Sequence, residues 1–300
     1  MSEGPRVAVL VPCLNEALTV AKVVADFRRE LPEATVYVYD NGSTDDTARA
    51  AAEAGAVVRR EKRKGKGFVV ARMLDEIDAD LYVLVDGDDT YPAESVHALL
   101  APVRDGDADM TVGNRLRAFD DRSFRPAHHF GNRLVAATVN LTFGAALEDV
   151  MSGFRVIHRE VVERVPIVSR GFEIETALTL QCLHRDVVIV EVPISYRGRP
   201  PGSHSKLRTL HDGARVLITV ADVLKAYRPL LSFALAALAL ALAAALAAAL
   251  PAPRWTSAFL AFSAALSLAC GLVLDGVNHR LREVERVALK GPRGATGRRP

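Results

Sequence analysis

Residues 83 to 90 read VLVDGDDT, an apolar run that stops at Asp86, Gly87, Asp88 and Asp89. Like charges repel at that spacing, so three carboxylates in four residues need a reason. The run Leu81 to Val85, bounded by a turn residue, reads as a buried strand, and the carboxylates fall where that strand leaves its sheet. In open α/β sheets that edge is where ligands bind. Outward from it, strand-like runs alternate with helix-like stretches. RVAVLV is followed by a helix expected over Glu16 to Glu30, TVYVYD by Asp45 to Ala54, AVVRR by Gly67 to Ile77, and LYVLVD by Ala93 to Val103, with ADMTVG next. Further on, Asn132 to Phe143 and Phe172 to His184 read as helices and Val187 to Ile194 as a strand. The expected class is therefore α/β, a mostly parallel sheet flanked by helices. No GxGxxG follows the first strand, which disfavours a dinucleotide-binding fold.

The 300 residues carry a formal net charge of +2 and 6% aromatic residues, too little charge and too few rings to suggest nucleic acid. Cys13, Cys182 and Cys270 lack metal-ligand spacing and read as reduced, mostly core thiols. MSEGPRVAVLVPCLNE has too short an apolar stretch for a signal peptide. The other end differs. Pro229 to Pro253 holds no charged residue, and after Arg254 the next charge is Asp275. Leu230 to Leu250 and Trp255 to Leu274 are two candidate spans, each roughly 30 Å long as a helix. Eleven alanines in the first keep a soluble Ala/Leu hairpin open as the alternative. Lys225 and Arg228 precede the pair, Arg254 alone lies in the turn, and Arg280, Arg282, Arg286, Lys290, Arg293, Arg298 and Arg299 follow it. The positive-inside rule then gives a two-span membrane protein with its main domain and both termini in the cytoplasm. The expected division is a catalytic domain over 1–205, an amphipathic interfacial helix over 206–228, the hairpin over 229–275 and a basic tail over 276–300. The interfacial segment reads equally well as a helix packed on the soluble domain, and the tail's end, GPRGATGRRP, as a disordered stretch that touches anionic lipid.

Two carboxylates one residue apart at a strand end, Asp86 and Asp88, can share a hard divalent cation that keeps positions for substrate phosphates. A solvated acidic turn is the bland alternative. A second strand ends in DNGSTDDT, where Asp40 can accept a hydrogen bond from a base N–H, Gly42 permits tight backbone, and Ser43 or Thr44 can cap a helix.

P-x-L-N-E (Pro12 to Glu16), D-N-G-S-T-D, K-G-K-G (Lys64 to Gly67) and D-G-D-D-T-Y-P, in that order, resemble the inverting family-2 glycosyltransferases of GT-A, Rossmann-like fold. GNR (Gly113 to Arg115), FGNRL, EDVMSGFR, GFEIET and RPPGSHSKLR are similar to the polyprenyl-phosphate glycosyltransferases, the group that includes dolichol-phosphate mannose synthase. This resemblance implies a nucleotide-sugar donor held by Pro12, Asn15, Glu16, Asp40, Gly42, Ser43, Lys66, Asp86, Gly87 and Arg115; Asp40 could read uracil, guanine or thymine through an N–H, with UDP favoured and GDP the alternative. It implies Mg²⁺ or Mn²⁺ on Asp86 and Asp88, and a polyprenyl phosphate acceptor gripped by Arg133, Arg155, Arg199, Ser205 and Lys206. Asp88, Arg133 and Asp149 are the implied catalytic set. Membrane lipid is an expected partner, nucleic acid is not, and self-association stays open. Arginine forks and a lysine suit the meeting of two phosphorylated substrates, whose repulsion must be neutralised. Asp149 matches a position proposed as base, although a lipid monophosphate is already largely anionic near pH 7. Asp89 and Thr90 depart from the apolar residue and the glutamine that relatives place there. The histidines, including His128, His129, His184, His204 and His211, show no H-E-x-x-H spacing, and neither Ser152 nor Cys13 sits in a G-x-S-x-G elbow. Transfer to a polysaccharide and a non-catalytic nucleotide-sugar binder remain the competing readings.

Overall fold

The computed structural model describes residues 4–118, 126–166, 174–200, 218, 221–250 and 253–289. The chain divides into two units, 1–216 and 217–300, each described by itself.

In the first unit the expected alternation appears: β1 (Val7–Cys13), α1 (Val20–Glu30), β2 (Thr35–Asp40), α2 (Thr47–Glu53), β3 (Val57–Arg60), α3 (Lys66–Glu76), β4 (Leu81–Leu84), α4 (Val96–Arg104) and β5 (Met110–Ala118). There follow α5 (Pro126–Phe143), β6 (Arg155–His158), α6 (Arg159–Arg164), α7 (Ile174–His184) and β7 (Ile189–Ser195). The seven strands lie in the order β3-β2-β1-β4-β6-β5-β7. Pairings are parallel except those of β6, which runs antiparallel to both β4 and β5. The sheet is thus mostly parallel, as expected, with one inserted reverse strand. Strand order reverses between β1 and β4, so the C-terminal ends of β1, β2 and β4 border one crevice, the usual ligand position in such sheets.

Strand alternation explains the layers. Val9 and Val11 point into one cluster with Val23, Val24 and Phe27 of α1 and Leu99 and Leu100 of α4. Ala8 and Leu10 point into the other, with Met73 of α3, Ile157 of β6 and Leu178 of α7. Helix α1 buries Val20, Val23, Val24 and Phe27, the i, i+3, i+4, i+7 face of an amphipathic helix. It starts four residues later than expected. Asn15 takes a left-handed φ of 52°, and the Glu16 carbonyl receives the first N–H groups, from Thr19 and Val20. Cys13 and Cys182 are buried core thiols, and burial pushes Cys182 up to about 12; Cys270 is exposed.

The second unit contains α8 (Pro229–Ala249) and α9 (Arg254–Leu289). Their apolar windows, Pro229–Ala249 and Trp255–Leu281, have mean hydropathies of 2.5 and 2.1 and are long and apolar enough to cross a membrane. Helix α9 runs 36 residues, so the tail boundary expected at 275 falls inside a continuous helix. The interfacial helix expected over 206–228 lies for the most part outside the described residues, as does GPRGATGRRP.

Candidate active site

The loop after β1 is laced to the loop after β2. The Asn15 N–H donates to Ser43 Oγ at 2.8 Å, Thr44 N–H to Asn15 Oδ1 at 2.8 Å, and Glu16 N–H to Thr47 Oγ1 at 2.8 Å. The capping role expected of Ser43 or Thr44 is therefore not what they do. Helix α2 begins at Thr47, and both residues bond across to Asn15 instead. Asp40, nearly buried, accepts the N–H groups of Gly42 and Ser43, each at 3.2 Å, with Gly42 at φ 81°. A cleft of about 320 Å³ opens here, between Asp40 and Ser43 on one side and Val58 and Arg60 on the other. Pro12 is buried within β1, in register with Tyr39.

Lys66 reaches the crevice from an unusual place, the first residue of α3, where the helix dipole disfavours a cation. Its support is specific. Asn41 donates through Nδ2 to the carbonyls of Glu61 and Arg63 at 3.3 and 2.7 Å and accepts the Gly65 N–H at 2.8 Å, fixing the loop that delivers Lys66. The ammonium then lies between two carboxylates, Asp86 at 2.5 Å and Glu175 of α7. Burial works against the lysine's charge, but the charges of Asp86 and Glu175 outweigh it and hold its pKa well above the usual value.

Asp88 lies two residues beyond Asp86. Its Oδ1 accepts Thr90 Oγ1 at 2.6 Å, and its Oδ2 faces Arg199 Nη2 at 2.6 Å; Arg199 Nη1 lies 3.7 Å from Glu16. Burial and the neighbouring Asp86 charge push Asp88 upward against the pull of Arg199, while Lys66 overcomes burial and holds Asp86 below the usual range. Two neighbouring carboxylates, each already facing a cationic side chain, have the chemistry to hold a hard divalent ion between them. Among the described residues no group of three His, Cys, Asp or Glu that could hold a metal ion gathers. Space is tight around the pair. A Cβ on Gly153 would lie 2.6 Å from Asp86 Oδ2, and one on Gly87 2.5 Å from Cys13 Sγ. Asp89, at φ 57°, turns away to Lys22 of α1 at 2.8 Å, and the Thr90 hydroxyl serves Asp88.

On the far side, Arg115 of β5 grips Asp149 through Nε at 2.7 Å and Nη2 at 2.8 Å, and its backbone N–H adds a third bond at 3.1 Å. Asn132 of α5 donates to the same carboxylate at 3.3 Å. Asp149 is 0% exposed. Glu191 of β7 holds it from behind by accepting the N–H groups of Glu148 and Asp149 at 2.9 and 2.7 Å. Arg133, one residue on, is exposed on α5. Arg155 corrects an expectation. It is 0% exposed, with its guanidinium on the carbonyls of Ser152 and Val150 and on Thr179 Oγ1, so it braces the 149–153 loop instead of reaching toward a phosphate. Ser205 and Lys206 lie outside the described residues. Sequence reading missed Asn41, Glu175 and Glu191. Asn41 and Glu175 had a signal, since they stand inside the quoted DNGSTDDT and GFEIET; Glu191 had none.

Residues 8–165 match the family described as glycosyl transferase family 2. The chain belongs to that family. As a family-2 glycosyltransferase it is an enzyme, and it is of the dolichol-phosphate mannose synthase-like kind. It is 31% identical over 278 residues to glycosyltransferase AglJ of Haloferax volcanii, covering 92% of this chain and 91% of that protein. To the dolichyl-phosphate hexose transferase of the same organism it is 29% identical, over 72% of this chain and 92% of the relative. Among solved structures, the Mycobacterium tuberculosis glucosyl-3-phosphoglycerate synthase bound to Mn²⁺, UDP and glucosyl-3-phosphoglycerate superposes with a TM-score of 0.61 at 23% identity, over 74% of this chain and 80% of that one. At that identity the likeness establishes the GT-A type of fold.

Proposed function

We propose that this family-2 enzyme transfers one sugar from a nucleoside diphosphate-sugar, UDP-linked in preference to GDP-linked, to a polyprenyl phosphate, with inversion at the anomeric carbon. The observation that supports it most is the carboxylate pair Asp86 and Asp88 at the crevice, each facing one cation, Lys66 and Arg199. The names of relatives that act on dolichyl or polyprenyl phosphate supply the acceptor class, and the Mn²⁺ and UDP of the fold neighbour supply the donor chemistry.

Asp40 and the cleft beside it receive the base, and the laced loops of Asn15 and Ser43 shape that slot. Asp86 and Asp88 hold Mg²⁺ or Mn²⁺. When bound, that ion neutralises the departing nucleoside diphosphate. Lys66 adds a fixed positive charge on the same side. The lipid phosphate oxygen forms a bond to the anomeric carbon as the bond to the diphosphate oxygen breaks, and the sugar inverts in this single displacement. No base is required, because the attacking phosphate is already anionic. Asp149 accordingly positions Arg115, a donor-side cation in this reading. Arg133 and Arg199, with Ser205 and Lys206, take the acceptor phosphate. The α8–α9 hairpin anchors the catalytic domain over 1–205 to the cytoplasmic leaflet, with 206–228 at the interface, 229–275 spanning and 276–300 following in the cytoplasm.

The test uses purified protein in detergent with Mn²⁺ or Mg²⁺ and a short polyprenyl phosphate, screening UDP- and GDP-sugars for nucleoside diphosphate release. Lipid-dependent release from one donor, lost in Asp88→Asn with folding retained, is the expected result. Release indifferent to lipid sinks the acceptor assignment, and unchanged turnover in Asp88→Asn sinks the metal role.

A further inference from the structure

Lys66 is shared between two carboxylates, as Lys22, Arg72 and Arg199 are, but its side chain is far less exposed than theirs. Its ammonium contacts Asp86, a ligand in the proposed cation site, and Glu175, which has no place in that site. The side chains of Lys66 and Glu175 are 13% and 7% exposed, so little water competes for either. A buried lysine with one carboxylate partner would close on it and stay there, since separating a buried pair is costly. With two, the ammonium can move its weight from one to the other without losing a counter-charge. Elsewhere in the site the arrangement repeats in looser form, Arg199 lying 2.6 Å from Asp88 and 3.7 Å from Glu16.

We infer that Glu175 is a positioning residue that holds Lys66 off Asp86 when the divalent cation binds, keeping the ammonium beside the cation to face the donor diphosphate. This rests on the reading of Asp86 and Asp88 as the cation site. Without the Glu175 charge, Lys66 collapses wholly onto Asp86 and competes with the cation for it. The effect therefore runs through Lys66, which separates it from a general change in local charge. A field effect of Glu175 on the cation would persist when Lys66 is absent, whereas a positioning effect would vanish.

The experiment is direct Mn²⁺ binding, followed by the loss of free Mn²⁺ paramagnetic signal, in the full chain in detergent without any acceptor. Native protein, Glu175→Gln, Lys66→Met, the double variant and Asp88→Asn are compared, with thermal midpoints recorded for each. The expected result is Mn²⁺ affinity about tenfold weaker in Glu175→Gln, a factor that corresponds to one decade of binding constant, and no effect of Glu175→Gln in the Lys66→Met background. Glu175→Asp should recover part of the loss, and the donor KM of Glu175→Gln should rise more than its kcat falls. Equal weakening with and without Lys66, or native affinity in Glu175→Gln, overturns the inference while leaving the cation site standing. Failure of native protein to bind Mn²⁺, or undiminished binding in Asp88→Asn, overturns both.

Discussion

Asp149 illustrates how a residue's surroundings decide its job. A carboxylate that is to take a proton from an incoming group must be reachable, and this one is enclosed, with a bidentate arginine, a backbone N–H and an amide on its two oxygens. Its replacement tests the assignment. Asp149→Asn leaves the Arg115 guanidinium buried without its counter-charge and sets one amide N–H against it. Breaking a buried pair by neutralising one partner costs about 3–5 kcal/mol, which in a domain of this size lowers the thermal midpoint by roughly 10 °C. A thermal melt in detergent checks this, and a catalytic base would give the opposite pattern, lost turnover with an unmoved midpoint. At this scale the sequence was legible by residue type but not by partner. Asp86, Asp88, Lys66 and Arg199 stood out because charges at strand ends and in Gly/Pro loops ask for an explanation. Glu175 did not, because its partner is 109 residues away and its place in GFEIET says nothing of that pairing. Arg155 was misread because a buried arginine bonded to carbonyls looks, in sequence, like one that waits for phosphate.

Elements were legible where their period was long enough to read. The strands β1 and β2 and helices α1 and α3 have unmistakable runs, and the four residues of β4 are apolar throughout, whereas β6 and α6, RVIH and REVVER, are short and mix charged with apolar residues, so no pattern registers. Yet β6 is what turns the sheet back beyond β4 and brings the 149–153 loop against Asp86. The seam between β2, β3 and α3 offers a test at this level. Glu76 accepts bonds from Arg72 Nε at 2.6 Å, Arg59 Nη1 at 2.7 Å and the Tyr39 hydroxyl at 2.9 Å. The Arg72 bond leads in lowering its pKa to about 2, against burial, with Arg59 and Tyr39 adding to it. Since the unfolded chain titrates near about 4.3, this network stabilises the fold fully above that pH and loses its contribution as pH falls toward 2. Glu76→Gln should therefore be less stable than native protein at pH 6 and lose less further stability between pH 5 and 2.5, measured by urea midpoints across that range. Parallel curves for the two proteins would refute the linkage.

For the whole molecule, composition gave the two-part plan, because a stretch of chain without charge long enough for two spans has few alternatives. It did not give the length of the second helix, whose charged end after Asp275 read as tail but continues helically to Leu289. Packing between α8 and α9 is close. The Ser267 hydroxyl donates to the Phe233 carbonyl at 3.0 Å, and a Cβ on Gly271 would lie 2.8 Å from Phe233 Cβ and 3.4 Å from Leu230 Cα; just before α8, the Ala226 carbonyl accepts from Asn278 Nδ2 of α9 at 2.7 Å. Small residues that let helix backbones approach are a principal means of association in lipid. Gly271→Leu should force the hairpin apart and lower the onset of heat-induced aggregation in detergent by several degrees, with Gly271→Ala intermediate; equal onsets would show that the pair does not depend on this approach.

Asn41 has a consequence for how the protein ages. It is followed by Gly42, the neighbour that most eases attack of a backbone nitrogen on an asparagine amide, and asparagine is among the thermolabile residues. Conversion to a carboxylate would keep an acceptor for the Gly65 N–H but strip both donors, turning a negative group on the carbonyls of Glu61 and Arg63. The same three bonds that fix the Lys66 loop hold the amide still, and the Gly42 nitrogen is occupied by the Asp40 carboxylate at 3.2 Å. Durability and the delivery of Lys66 thus share one clamp, and conditions that loosen it both expose the amide and release the Lys66 loop.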